Sequence, residues 1–282
     1  MEKEIIASIE KKVKNTIKEY KLLNKKDKIV VACSGGKDST TVLYLLKKFG
    51  YDVEALIIDL LIGSWSEKSL AKVEEFCKAQ KIKLHTVNMR DSFGCSICYI
   101  RSGVQSKVKL NNCAICGVVK RWILNKKARE FGFDKLVTGH NMDDEVENVM
   151  MNQFKGNPSL CISLGPKTGV IRDNKFVPRV KPLYFCSNDE IRAYSKIMKF
   201  PVVYKPCPCS VVAFRGDVRE FVKKLEGKFP DIKKNIIDNF LEILPELKKT
   251  FTSKGDLIYC EICKEPSRNK ICKMCELMKH LS

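Results

Sequence analysis

Two sets of side chains in this sequence stand at spacings that chemistry requires. The first is Ser34-Gly35-Gly36-Lys37-Asp38-Ser39. Adjacent glycines let backbone N–H groups turn toward an anion, and Lys37 adds a full positive charge. Ser34 and Ser39 add hydroxyl donors, while Asp38 can hold the turn or a magnesium ion. The spacing is not the Walker G-x-x-x-x-G-K-[ST], because Lys37 is followed by Asp38, and it is not the dinucleotide G-x-G-x-x-G. The second set is cysteine. Ten of the fourteen fall in five short-spaced pairs: Cys95/Cys98, Cys113/Cys116, Cys207/Cys209, Cys260/Cys263 and Cys272/Cys275. In a reducing compartment such pairing points to metal or redox chemistry rather than to disulfides. Cys260-x2-Cys263-x8-Cys272-x2-Cys275 offers four thiolates to one tetrahedral zinc and leaves no position open, which makes that site structural. Lys254, Lys264, Arg268, Lys270 and Lys273 surround it and suit contacts to a phosphate backbone. Cys113-x2-Cys116 opens a helix, a place that favours thiolates and turns both sulfurs toward one metal. Cys95-x2-Cys98-x14-Cys113-x2-Cys116 also approaches four-cysteine zinc spacing, so a second zinc site is an open reading.

Elements of alternating type must position these residues. Apolar positions at Ile5, Ile6, Ile9, Val13 and Ile17 give residues 2–21 the spacing of a helix. A β-rich run at 28–32 leads into the glycine loop, and a helix at 40–49 follows, closed by Gly50. Further strands are expected at 53–59, 83–87, 135–138 and 202–204. Helices are expected at 67–80, 114–131, after the segment 139–144 to about 154, and 188–198. Residues 90–112 read as a long loop, and 155–182, with Pro158, Pro166, Pro178 and Pro182, as irregular. Strands alternating with helices specify an α/β fold, a doubly wound parallel sheet of five strands. Such sheets bind ligands beyond the C-terminal strand ends, where the glycine loop falls. Helices at 217–226 and 231–249 precede the cysteine tail. The resulting division is an N-terminal helix (1–27), a core domain (28–210), a helical extension (211–253) and a zinc ribbon (254–282).

Composition narrows the partner. The 282 residues carry 52 Lys+Arg against 33 Asp+Glu, a net charge of +19, which implies a polyanionic partner and nucleic acid first. The longest apolar stretch, around 56–62, is interrupted by Asp59 and falls short of the ~20 residues of a membrane span. The N-terminal MEKEIIASIEKK lacks the apolar centre of a secretory signal. A cytoplasmic location is expected.

Ser34–Ser39, set between strand and helix, resembles the PP-loop of the ATP pyrophosphatase superfamily. Cys113-Ala114-Ile115-Cys116-Gly117, with Lys120-Arg121 and Leu124-Asn125 after it, is similar to a segment of the tRNA 2-thiolation enzymes in that superfamily. So is Thr138-Gly139-His140-Asn141-Met142-Asp143-Asp144. The likeness covers about residues 28–210 and the tail. It implies an enzyme that adenylates the C2 oxygen of a tRNA uridine, releases pyrophosphate with magnesium, and replaces the oxygen with sulfur. It also implies a 4Fe–4S cluster on three cysteines, its fourth iron free to carry sulfide. Cys113, Cys116 and Cys207 take the ligand positions, with Cys207 preferred to Cys209.

In that reading ATP phosphates lie on Ser34–Ser39, following Cys33, with the adenosine near Asp59 and Gly139 and His140 beside the nucleotide. Lys120 stands one helical turn past Cys116 and faces the same pocket, where its charge would stabilise the adenylated oxygen. Asp144 would orient Lys120 or bind magnesium. Family members commonly form homodimers and take sulfur from sulfide or a carrier protein. Related readings are thiolation to 2-thiocytidine or 4-thiouridine, and a non-catalytic zinc-containing RNA-binding module. Two departures stand out. Relatives often carry a ribbon at the N-terminus, where this sequence reads as helix. Cys95 and Cys98 lie outside the family's usual pattern, and their expected roles are a redox relay, sulfur handling or a second metal site.

Overall fold

Short runs of Val, Ile and Leu form four parallel strands: β1 (Ile29–Cys33), β2 (Val53–Asp59), β3 (Leu84–Asn88) and β4 (Lys135–Thr138). In the computed structural model, which describes residues 2–168, 173–210, 214–251 and 257–281, two shorter strands extend this sheet. They are β5 (Lys167–Thr168) and β6 (Arg179–Val180), and the order is β3-β2-β1-β4-β6-β5. β6 runs parallel to β4, while β5 runs antiparallel at the edge. Five strands are therefore parallel, as expected, but the fifth lies at 179–180 inside the segment read as irregular. The extended run 202–204 is not a strand, because the Val203 N–H donates to the Gly35 carbonyl (2.8 Å) instead of to a ladder. Lys254 and the divisions expected at 211 and at 253–254 fall outside the described residues.

The helices are α1 (Glu2–Glu19), α2 (Lys37–Lys48), α3 (Gly63–Gln80), α4 (Met89–Phe93), α5 (Ile97–Gln105), α6 (Asn112–Glu130), α7 (Met142–Phe154), α8 (Asn188–Ile197), α9 (Phe214–Glu226) and α10 (Ile232–Phe251). The expected loop at 90–112 thus contains α4 and α5, capped by the Asn88 and Ser96 side chains. Gly50, at φ +75°, closes α2 through a backbone bond to Lys47 while Tyr51 reaches back to Leu46, the Schellman pattern.

Alternate residues of β1 enter different cores. Ile29 and Val31 join Ile9, Val13, Leu43, Val73 and Ile191 on the face covered by α1, α2, α3 and α8. Val30 joins Leu56, Ile97, Ile100, Ile115 and Val119 on the face covered by α5 and α6. Burial on both faces is what a doubly wound parallel sheet requires. The tail, with strands β7 (Ile258–Tyr259) and β8 (Pro266–Ser267) and helix α11 (Lys273–Lys279), shares that second core through Cys260, Met274 and Leu277. α9 and α10 pack on α7 through Val146, Val218, Val222 and Ile237. No helix among the described residues is long and apolar enough to cross a membrane.

Candidate active site between the phosphate loop and the cysteines

The C-terminal ends of β1, β2 and β4 lie on one edge of the sheet, because β1 pairs in register with both neighbours, Ala32 opposite Leu56 and Thr138. The glycine loop leaves this edge and opens α2. Gly36 caps the helix with no side chain bonded to the first turn, so its N–H groups and partial positive charge stay available to an anion. Gly35 sits at φ +74°, and a Cβ there would come within 2.8 Å of Ser69 Cα. A Cβ on Gly139 would lie 2.7 Å from Ser39 N and 2.8 Å from Asp38 C. The turn after β4 is therefore packed directly onto the phosphate loop.

Side chains then fix the loop. Ser39 Oγ accepts from Ser34 N (3.2 Å) and donates to the Gly36 carbonyl (3.1 Å). Buried Lys37 reaches Asp38 Oδ1 (2.7 Å) and Asn188 Oδ1 (2.6 Å), and Asn141 Nδ2 donates to the same Asp38 oxygen (3.0 Å). Asp59, half-buried at the end of β2, accepts from Leu61 N (3.0 Å). Burial, with Cys77 adding to it, pushes the Cys33 thiol far up, so Cys33 meets this edge as a strand end and not as a nucleophile.

At this edge His140 is exposed and Asp144 is half-buried, each with many protein groups around it. Desolvation, then the charges of Lys181, Arg179, Arg215 and Lys120, push the His140 pKa down to about 3. Its ring is neutral, with Nδ1 2.9 Å from Thr138 Oγ1. Desolvation, then the charges of Asp38 and Glu147, raise the Asp144 carboxyl to about 6. Asp144 shares a capping box with Asn141 at the start of α7, and its cationic neighbour is Arg215 (3.8 Å). The expected pairing with Lys120 is absent among the described residues. Arg215 is a site residue the sequence reading missed. It stands one turn before Arg219, and both reach Glu147, an i, i+4 pair of like charges in α9 that signals a shared acidic partner.

The cysteines form a second compartment on the same side. Asn111 caps α6 by accepting from Ala114 N (2.8 Å). Cys113 is exposed in its first turn and Cys116 is buried one turn on. Burial raises the Cys116 thiol against the opposing charges of Lys120 and Arg101, so the thiolate-favouring effect expected of a helix start does not prevail there. Cys207 and Cys209 are half-buried on a turn tied to α6 by Asn112 Nδ2 and the Cys209 carbonyl (3.4 Å). Cys207 lies within electrostatic reach of Cys116 and Lys120, whereas Cys209 engages Arg101. Lys120 itself is exposed, and its charge acts on Cys116, Cys207 and His140 alike.

The donors suit two different metals. Among the described residues, Cys260, Cys263, Cys272 and Cys275 alone bring three or more ligand atoms within 4.8 Å of one another, the reach of a single tetrahedral ion. Their sulfurs accept backbone N–H bonds, Cys272 N to Cys260 Sγ (3.3 Å) and Cys275 N to Cys272 Sγ (3.4 Å), as charged zinc thiolates require. The alternative zinc tetrad of Cys95, Cys98, Cys113 and Cys116 does not assemble. Cys113, Cys116 and Cys207 supply three sulfurs from two elements, with Cys113 and Cys207 both within electrostatic reach of Cys116, a thiolate set that fits an iron–sulfur cube, which is larger than one ion and needs wider-set ligands. The tail is docked and not free. Arg129 grips buried Glu265 with both nitrogens, and Lys175 Nζ reaches the Lys264 carbonyl (2.8 Å).

Comparison with known proteins agrees with this geometry. The PP-loop domain family matches residues 5–224. The tRNA-5-methyluridine(54) 2-sulfurtransferase of Pyrococcus horikoshii is 36% identical over 271 residues, covering 95% of this chain and 83% of the relative. Cytoplasmic tRNA 2-thiolation protein 1 of Candida glabrata is 32% identical, covering 96% and 78%. The structure of the U34-tRNA thiolase NcsA from Methanococcus maripaludis with its [4Fe-4S] cluster superposes with a TM-score of 0.83 at 27% identity, covering all of this chain and 90% of that one. The chain belongs to the PP-loop family of tRNA 2-thiolation proteins.

Proposed function

We propose that this chain is an ATP-dependent tRNA 2-sulfurtransferase, which adenylates the C2 oxygen of a tRNA uridine and exchanges that oxygen for sulfur. The observation that carries the reading is the uncapped first turn of α2 behind Gly36, on which the β4 turn is packed directly at Gly139. The open first turn of α2, with Ser34, Gly35, Gly36 and Ser39, binds the ATP phosphates. Lys37 turns from Asn188 toward them, and Asp38 holds magnesium. Asp59 and Gly139 flank the adenosine, and neutral His140 serves as a hydrogen-bonding partner rather than a charge. Lys120 stabilises charge developing on the adenylated uridine oxygen. Asp144, paired with Arg215, holds the first turn of α7 beside Asp38. Cys113, Cys116 and Cys207 hold a 4Fe–4S cluster, and the tail tetrad holds zinc. When bound, the cluster supplies an iron with a free position for inorganic sulfur. The charge of +19 serves tRNA binding.

The 36% identity to a relative named for position 54 favours 5-methyluridine 54 as the target. Uridine 34 is the second reading, from the superposed thiolase. A sulfide or carrier-protein donor, a homodimer and a cytoplasmic location complete the proposal; the Candida relative is named for that last compartment. The test is anaerobic reconstitution with ATP, sulfide and tRNAs carrying 5-methyluridine 54, with uridine 34 or position 54 replaced in turn, followed by nucleoside mass spectrometry. Lys120→Ala and Asp144→Ala should bind ATP and yield no thiolated nucleoside. Wild-type product from either variant overturns its role.

A further inference from the structure

Cys95 and Cys98 have no part in the nucleotide site or the tail, yet one turn of α5 beyond Cys98 stands an unusual cation. Arg101 is 7% exposed. Among the described residues it forms no ion pair with a carboxylate, and its neighbours are sulfurs. Nη2 donates to Cys98 Sγ (2.8 Å), and Cys209 and Cys116 lie within electrostatic reach. Its Nε and Nη1 atoms are buried with no partner. A buried guanidinium that lacks an acceptor for two of its nitrogens is costly unless a bound anion supplies one. Leu281 closes the other side of α5, since a Cβ on Gly103 would come within 2.5 Å of it.

We propose that Cys98 is a sulfur-accepting cysteine and that Arg101 is the receptor for the persulfide it carries. The idea rests on the sulfur-transfer reading above. The chemistry is an exchange without net oxidation. The Cys98 sulfur attacks the outer sulfur of a donor persulfide, R–S–SH, a new S–S bond forms on Cys98, and the donor's S–S bond breaks. The donor leaves as the thiol R–SH, taking the proton that Cys98 gives up, and the outer sulfur's own proton passes to solvent when the new persulfide ionises. Cys98 Sγ already accepts from Nη2, and an S–S bond is about 2 Å long. The added terminal sulfur is thus placed within reach of the unpartnered N–H groups of the same guanidinium. An anionic acceptor with two donors in one plane is what arginine suits and lysine does not. Cys209, within electrostatic reach of the same arginine and two residues from Cys207, sets this sulfur near the proposed cluster ligands.

The test is persulfide mapping on the whole holoprotein, anaerobically, with sodium tetrasulfide as the donor. Its readout is independent of tRNA product, so it separates this proposal from the function above. After alkylation, fragment spectra of the tryptic peptide that runs from Asp91 to Arg101 distinguish Cys95 from Cys98. Expected is one extra sulfur on Cys98, removed by dithiothreitol, with Cys95 unmodified. Arg101→Lys should lower that occupancy by roughly tenfold, one to two charge-assisted bonds' worth, at unchanged iron content and circular dichroism. If Arg101→Lys fails to fold, the choice between Cys98 and Cys95 in the wild type decides alone. Sulfur confined to Cys113, Cys116 or Cys207, free hydrosulfide with no modified cysteine, or full Cys98 occupancy in a folded Arg101→Lys protein would each overturn the proposal.

Discussion

Gly139→Ala isolates the packing of the β4 turn on the phosphate loop, because Gly139 has no positive φ and the penalty is purely steric. The new Cβ would lie 2.7 Å from Ser39 N and 2.8 Å from Asp38 C, where ordinary contact begins near 3.4 Å. About 0.7 Å must be found, and the obstacles are backbone atoms that cannot rotate away. Overpacking of this kind costs about 1–3 kcal/mol. The turn that must yield is the one that presents N–H groups to phosphate, so most of the cost falls on ligand binding. We expect ATP affinity to weaken by about tenfold, equivalent to ~1.4 kcal/mol, and Tm to drop by about 3–6 °C. Titration calorimetry with a non-hydrolysable ATP analogue reads the first and a thermal melt the second. Gly216→Ala is the control, since its Cβ meets nothing within 4 Å and alanine favours the α9 helix. If Gly139→Ala binds the analogue and melts as the wild type does, the close contact does not shape the site.

Three further outcomes follow from the same structure. Asp144, raised to about 6, holds a proton in the folded chain that the unfolded chain releases between about pH 4 and 6. Stability therefore falls as pH rises through that window, and Asp144→Asn should be the more stable protein at pH 7 by about 1 kcal/mol, a figure discounted for partial exposure. Urea midpoints at pH 4 and pH 7 check the sign, and a variant less stable than the wild type at pH 7 counts against it. Arg129→Ala leaves Glu265 buried without its partner and should cost about 3 kcal/mol, most of it recovered in Arg129→Ala/Glu265→Gln; chemical denaturation measures both. Stripping zinc with a chelator should raise amide exchange in α11 and also in α5, through the Leu281–Gly103 contact. Exchange confined to α11 would show that the tail does not support α5.

Much of the sheet and the tail tetrad were legible because each rests on local spacing, whereas Cys207, far along the chain from Cys116, was named only through the family resemblance. The glycine loop, β1 to β4 and the tail cysteines lie where their patterns place them. Helix α5 was legible too, since Ile97, Ile100, Arg101 and Val104 repeat at helical spacing behind the Ser96 cap, but the cysteines drew attention to loop chemistry instead. Strand β6 was not legible, being two residues between Pro178 and Pro182. Residues 202–204 have strand composition and extended backbone, yet their N–H partner is a loop carbonyl, a tertiary fact that no local pattern encodes. Arg215 lay beyond reach for a similar reason, because only the packing of α9 on α7 brings it to Asp144.

The bond from Val203 N to the Gly35 carbonyl acts as a ruler. Its zero mark is the phosphate loop, and Cys207 stands four residues along, with the Lys205 carbonyl held by Trp65 Nε1 (3.3 Å) on the way. The distance between the phosphate loop and Cys207 is thus set by the length of one short strap, not by how the two halves of the core happen to settle. Adding a single residue between 203 and 207 would leave both sites intact and put them out of step.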